Sequence, residues 1–540
     1  MARSESFRAL RRIHRTAAFC DKRGLDTREG LEQLAELDRT ARDDGEWRAT
    51  RRRFLDTVGK AAAVGALASI PGTSAWAAPR PGNARVAIVG AGLAGLACAD
   101  ALKAKGVLAT VFEASNRVGG RCFSLRGFFP GQVAERGGEF IDTGHTTMRG
   151  YANRFGLALE DVTKGPGEVF YFVDGSLHSE ETVVDEYREL VPAMRADLQT
   201  SSGAPTADDH TEGDIVLDFT TLEEWLATRG PGSIIAGVIE AAYIGEYGRE
   251  VAEQSCLNFL LFAHADRRAK FAPFGVFSDE RFHVVDGNDA IATGLAAGLP
   301  GQIELGKTLV AAAKDSAGDI VLTFEDSEGT FDAVVFAIPF TTLREVDLHP
   351  SLGLPESKIQ AIENLVYGTN AKVIVGFDGR PWEALGGDGQ SYAHGLPNLI
   401  GTWETNPSRA TMTRAVLTDY TGGRLGETLN PMNAEVEAER FLRDLDHVYA
   451  GASASATRRQ GKPVADLFHW PSFPLALGSY TCTHPGYFTT IAGNEGKAVG
   501  NLYFAGEHTN SFYVWQGFME GAALSGLDAA AQLLTDLKAK

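Results

Sequence analysis

Between residues 90 and 121 the chain carries residue types whose spacing suits the binding of a dinucleotide. Gly90-Ala-Gly92-Leu-Ala-Gly95 is followed, 18 residues past Gly95, by Glu113, and then by Arg117-Val-Gly119-Gly120-Arg121. In such a run Gly90 permits a tight turn, Gly92 lets the backbone approach a pyrophosphate, and Gly95 lets a helix close on a strand. The free N–H groups at the start of that helix attract phosphate. Glu113 is placed to accept hydrogen bonds from a ribose diol. Arg117 and Arg121, beside the glycine turn, are charge partners for a diphosphate. The chemistry expected is electron transfer by a bound cofactor, which the protein orients and surrounds.

These residues need a particular frame. Arg85–Val89 is a short β-branched run that reads as a buried parallel strand, Leu96 to about Lys105 reads as a helix, and Ala109–Phe112 is a second buried run ending at Glu113. That strand–turn–helix–strand order is a Rossmann unit.

The segment Glu113-Ala-Ser-Asn-Arg117-Val-Gly119-Gly120-Arg121 resembles the E-A-x-x-R-x-G-G-R signature of the flavin amine oxidases and L-amino acid oxidases. Arg136-Gly137-Gly138-Glu139-Phe140 looks like that family's GG-x-[WF] loop beside the isoalloxazine. Phe504-Ala-Gly506-Glu507 and Gly521-Ala522-Ala523-Leu-Ser525-Gly526 look like its C-terminal flavin segment. Val285–Ile291 and Val310 resemble a third cofactor segment, with Val310 as backbone contact to adenine. The resemblance implies FAD, held by Gly90, Gly92, Gly95, Glu113, Arg117, Gly120, Arg121, Gly137, Gly138, Val310, Gly506 and Glu507. It implies an α/β fold: a Rossmann-type FAD domain from discontinuous segments (84–150, 275–345, 465–540) and an α+β substrate domain with a mixed sheet (151–274, 346–464).

The same resemblance assigns the reacting groups. Lys372, in Lys372-Val-Ile-Val-Gly-Phe377, matches the strand lysine that holds a water against flavin N5 and is the expected catalytic residue. Tyr480, in Gly478-Ser479-Tyr480, and Phe518, in Gly517-Phe518-Met519-Glu520, match the two walls of an aromatic cage that aligns an uncharged amine. Ser479 stands where mitochondrial-type monoamine oxidases carry the Cys that bonds to flavin, so FAD is expected to be non-covalent. The implied reaction converts an L-amino acid, or a primary amine, to an imine and then to a keto acid or aldehyde, with ammonia and H2O2. Arg149 is the candidate partner for a substrate carboxylate. The G-A-M-R loop of many L-amino acid oxidases is absent; Gly138–Arg149 reads differently. Alternatives are a monoamine or polyamine oxidase, an amine dehydrogenase using a carrier, and a catalytically silent FAD-bound binding module.

The remaining features bound the setting. At 540 residues the chain suits two large domains, and its formal net charge of -19 argues against a nucleic-acid partner. Thr50-Arg51-Arg52-Arg53-Phe54-Leu55, an apolar run over 58–70 and Ala75-Trp76-Ala77 read as a twin-arginine export signal with cleavage after Ala77. Residues 1–77 are thus expected to be a leader, and the product periplasmic or secreted. Leu31, Leu34 and Leu37 sit at helical spacing within it. The apolar run is too short to span a bilayer, so no stable membrane span is expected after cleavage. The expected partners are the small substrate and O2, with a homodimer as the usual assembly of similar proteins. Five Cys (20, 98, 122, 256, 482) lack C-x-x-C spacing, and neither His145 nor His508 has a ligand partner nearby, so no metal or disulfide scaffold is expected.

Overall fold

A computed structural model describes residues 5–43, 84–263, 279–406 and 413–538. The twin-arginine stretch and the cleavage position at Ala77 lie outside the described residues.

The apolar run Val86–Val89 forms the middle strand of a five-stranded parallel sheet, every residue of it buried. It pairs with Ala333–Phe336 on one side and Ala109–Glu113 on the other; Leu502–Phe504 and Ile303–Leu305 close the two edges. A parallel sheet covered on both faces needs such continuous apolar strands. Helix Leu93–Lys103 follows the glycine turn and crosses helix Met519–Lys538 along small residues. A Cβ on Gly526 would lie 2.0 Å from Ala94 O, so the crossing depends on the missing side chain. The first and last segments of the FAD domain meet there.

The second domain is built on a seven-stranded mixed sheet in the order Ala465–His469, Ala371–Phe377, Ala415–Thr421, Gly401–Glu404, Gly387–Ala393, Glu168–Val173, Ser176–His178. Its register puts Lys372 opposite Tyr420 and Phe468, hence on one face. The alternate residues Ala371, Val373, Val375 and Phe377 enter the core beneath helix Ala434–Val448. Helices between 180 and 263 cap the other end of the sheet.

The frame is the expected one, with three differences. Strand Ala465–His469, expected in the FAD domain, is an edge of the seven-stranded sheet, because its backbone completes the ladder of the Lys372 strand. Asp347–Leu348, expected in the substrate domain, pairs instead with Leu309–Lys314 in a four-stranded sheet beside the cofactor strands. Residues 5–43, read as part of a leader, form two helices, α1 (Glu5–Arg23) and α2 (Thr27–Asp43), and α1 enters the main apolar core with Leu10, Ile13 and Ala17 fully buried. All five cysteines are free and buried, and no cluster of potential metal ligands occurs among the described residues.

Candidate active site

A cavity of ≈ 220 Å³ runs over the carboxyl ends of the parallel strands. Its walls include Gly90, Gly92, Glu113, Arg117, Gly120, Arg121, Gly506 and Glu507, so eight of the twelve expected cofactor residues meet at one place. Gly90 has φ +106, and a Cβ there would lie 2.6 Å from Ala337 O. Gly95 does not face the cavity; its Cβ would lie 1.9 Å from Gly90 O, so it lets the helix close on the turn. At Gly92 nothing lies within 4 Å of an added Cβ, which leaves its backbone open to a ligand.

The charged residues are held rather than free. Glu113 accepts from the N–H of Ala91 at 2.8 Å and of Ser115 at 2.9 Å, which fixes the carboxylate at the strand's end. Arg117 lies 3.8 Å over the Phe123 ring and donates to Gly120 O at 2.6 Å, shaping the glycine turn. Arg121 Nη1 donates to Glu507 Oε1 at 2.8 Å and to Ser479 O at 2.9 Å, so it ties three cofactor segments together. Burial is the largest influence on the Glu507 carboxyl and pushes it up, but the surrounding positive charge, Arg121 foremost, together holds the group below the usual carboxylate range. Gly137 and Gly138 lie behind the cavity wall: a Cβ on Gly137 would lie 1.8 Å from Arg121 O, and Gly138 N–H donates to that carbonyl. Leu309 lines the cavity next to Val310, whose side chain is exposed.

Lys372, the expected reacting group, lies against the Gly137-Gly138 loop. Lys372 Nζ donates to Glu139 Oε2 at 2.6 Å and to the carbonyls of Glu135 and Gly137 at 3.0 Å each. All three ammonium hydrogens thus have acceptors. Glu139 also accepts from Trp403 Nε1 at 2.9 Å, and Lys372 Nζ stands 5.5 Å from the Trp403 ring and 5.7 Å from that of Tyr420. Tyr420 donates to Tyr480 OH at 3.1 Å, and Tyr480 donates to Glu246 O. Lys372, Glu139, Trp403, Tyr420 and Tyr480 are all buried. Beneath them burial pushes the Glu135 carboxyl up to about 8. Ser479 Oγ donates to Asn370 Oδ1 at 2.5 Å.

Phe518 stands at the start of helix Met519–Lys538, edge-on to His145 (5.2 Å) and Trp515 (5.3 Å). Burial lowers the His145 pKa to about 4, so its ring is neutral and packs as an aromatic. Arg149, in helix Thr146–Arg154 that follows His145, donates to Thr143 O at 2.8 Å with its guanidinium 5.3 Å over Phe282. None of these contacts joins it to the Lys372 cluster. Glu139 and Tyr420 received no role from the sequence. The signal for Glu139 was present: an acid inside the glycine loop, where a buried lysine needs a counter-charge.

Residues 93–534 match the family model described as flavin containing amine oxidoreductase. The chain belongs to this family. Flavin, as FAD, is therefore its cofactor, and the glycine-lined cavity with its fixed Glu113 and Arg121 fits that group. An L-amino-acid oxidase of Pseudechis australis is 23% identical over 474 residues, 83% of this chain and 86% of that protein. The putative L-amino-acid oxidase YobN of Bacillus subtilis is 22% identical over 469 residues, 83% and 94% of the two chains. Among solved structures, cyclohexylamine oxidase from Brevibacterium oxydans IH-35A superposes with a TM-score of 0.72 at 21% identity, covering 85% of this chain and all of that one. Putrescine oxidase bound to putrescine gives 0.70 at 19% identity, covering 84% and 99%. Family membership makes this chain a flavin-dependent oxidoreductase of small amines. No helix among its described residues is long and apolar enough to cross a membrane.

Proposed function

We propose that this chain oxidises the α-amino group of an L-amino acid to an imine, which water hydrolyses to a keto acid and ammonia, with O2 reduced to H2O2. The observation that carries the amine-oxidising part is the Lys372–Glu139 pair held against Trp403 and Tyr420 on the sheet face. The amino-acid part is supported by the relatives, which match over most of their length. Bound FAD supplies the two-electron acceptor. Gly90, Gly92, Glu113, Arg117, Arg121 and Glu507 would hold it, and Ser479, already engaged with Asn370, supports non-covalent binding. Tyr480, fixed by Glu246 O and Tyr420, and Phe518, fixed by His145 and Trp515, would each serve as a rigid wall that excludes water and orients an uncharged amine. Lys372, whose ammonium meets Glu139 and the carbonyls of Glu135 and Gly137, would exchange one of these acceptors for a water and pass a proton through its Nζ.

A second reading, oxidation of simple amines, is favoured by the contacts of Arg149. They are to a backbone carbonyl and an aromatic ring, away from the Lys372 cluster. The two structural neighbours named above are also amine oxidases. Anaerobic addition of L-amino acids to the FAD-loaded protein tests the first reading: bleaching of the flavin band supports it. Bleaching by amines alone replaces it with the second, and a flavin that no amine bleaches refutes both. For location, Arg51-Arg52 supports export of the folded chain by the twin-arginine route. Replacing both by Lys should keep the protein in the cytoplasmic fraction; undiminished export would remove that reading.

A further inference from the structure

The α1–α2 hairpin lies outside the family match, which begins at residue 93, and yet it is built into the substrate domain. Leu10, Ile13 and Ala17 recur along one face of α1 and are 0–3% exposed. They share an apolar core with residues of helices Glu180–Leu198 and Ser233–Tyr247. The face is thus part of the interior, almost wholly shielded from water and continuous with the domain's own apolar cluster.

Polar contacts ring the buried face. His14 Nδ1 lies 2.8 Å from Tyr187 OH, and Arg12 pairs with Glu180 at 2.7 Å. Arg188 reaches both ends of the hairpin's turn, bonding Asp21 at 3.0 Å and Leu25 O at 3.2 Å. Within the hairpin, a Cβ on Gly30 would lie 2.0 Å from Cys20 Sγ, so α1 and α2 close on each other as one unit. The helix under α1, Ser233–Tyr247, carries Glu246, whose carbonyl accepts the Tyr480 hydroxyl. One element therefore links the hairpin to the substrate wall.

We propose that the α1–α2 hairpin is a permanent part of the substrate domain, held by its own interface and not by the chain joining it to residue 84. A cut between 44 and 83, export cleavage after Ala77 included, then gives a two-chain enzyme in which the hairpin stays bound and keeps Tyr480 in place. The binding part of this proposal does not rest on the amine-oxidising reading, because its readout is mass.

The test uses the full FAD-loaded chain with a site-specific protease sequence inserted between residues 56 and 76. After cutting, both fragments should co-elute on gel filtration at the uncut position in equal amounts. Flavin should stay bound and turnover should change less than twofold. Separation of the short fragment overturns the proposal, whether the long fragment then stays in solution or precipitates. Leu10→Asp with Ile13→Asp in the same cut protein should release the hairpin and raise KM more than kcat falls. Continued co-elution of that variant would show that the assigned face is not what holds the hairpin.

Discussion

Replacing Lys372 by Met removes the proposed proton carrier and also leaves an uncompensated buried acid. In the folded protein the Glu139 carboxylate is 2% exposed and accepts from Lys372 and Trp403. Breaking a buried pair by deleting one partner costs about 3–5 kcal/mol, whereas replacing both by neutral groups is often close to neutral. Lys372→Met and Glu139→Gln should therefore each lower the unfolding midpoint clearly. Lys372→Met with Glu139→Gln should recover most of that loss, with turnover still slow. A long chain with a bound cofactor does not unfold in one step, so the order of midpoints, not an extrapolated free energy, is the proper readout. Urea titration followed by tryptophan fluorescence measures it, with flavin absorbance as a check that FAD remains bound. Two single variants whose small midpoint shifts simply add would refute the pairing as the reason Lys372 sits where it does.

Gly95→Ala places a Cβ 1.9 Å from Gly90 O. It should weaken FAD binding at least tenfold, read as flavin absorbance per protein after dialysis; full retention would contradict the close-approach argument. Acid precipitation should release all flavin into the supernatant, because Ser479 has no sulfur to form the bond; flavin in the pellet would contradict non-covalent binding. Burial holds His145 neutral down to about pH 4, against about 6.5 when unfolded. The unfolded chain therefore binds the extra proton first, and this stability is complete above pH 6.5 and lost as pH falls towards 4. The loss is about 3 kcal/mol. His145→Gln should flatten the fall in the unfolding midpoint over that window; an unchanged slope would rule His145 out as its source.

What was legible in the sequence was what is local. The glycine spacing, Glu113 and the two Arg lie within about 30 residues, and local spacing alone fixes a turn, a helix start and a strand end. Lys372 was legible because one charge in an apolar strand is conspicuous. Its pairing with Glu139 was not, since that acid is 233 positions away, in a loop that meets Lys372 only through tertiary packing. Trp403 and Tyr420 needed the register of the seven-stranded sheet. The periodicity of Leu10, Ile13 and Ala17 was also present in the sequence. Its assignment to a leader hid it, because nothing before residue 84 says which surface such a face would meet. The strand Ala465–His469 was placed in the wrong domain for a related reason: an edge strand belongs to whichever ladder it completes, and that is not written in its own residues.

The central claim is that the Lys372 site turns L-amino acids into keto acids at the expense of O2. The direct measurement is peroxide release by the FAD-loaded protein from matched pairs, L-Phe against phenylethylamine and L-Lys against cadaverine. Release from the amino acids is expected to be at least tenfold faster than from the amines lacking the carboxylate. Equal or faster release from the amines would contradict the amino-acid reading, and no peroxide from any of them, with flavin bound, would contradict the oxidase itself.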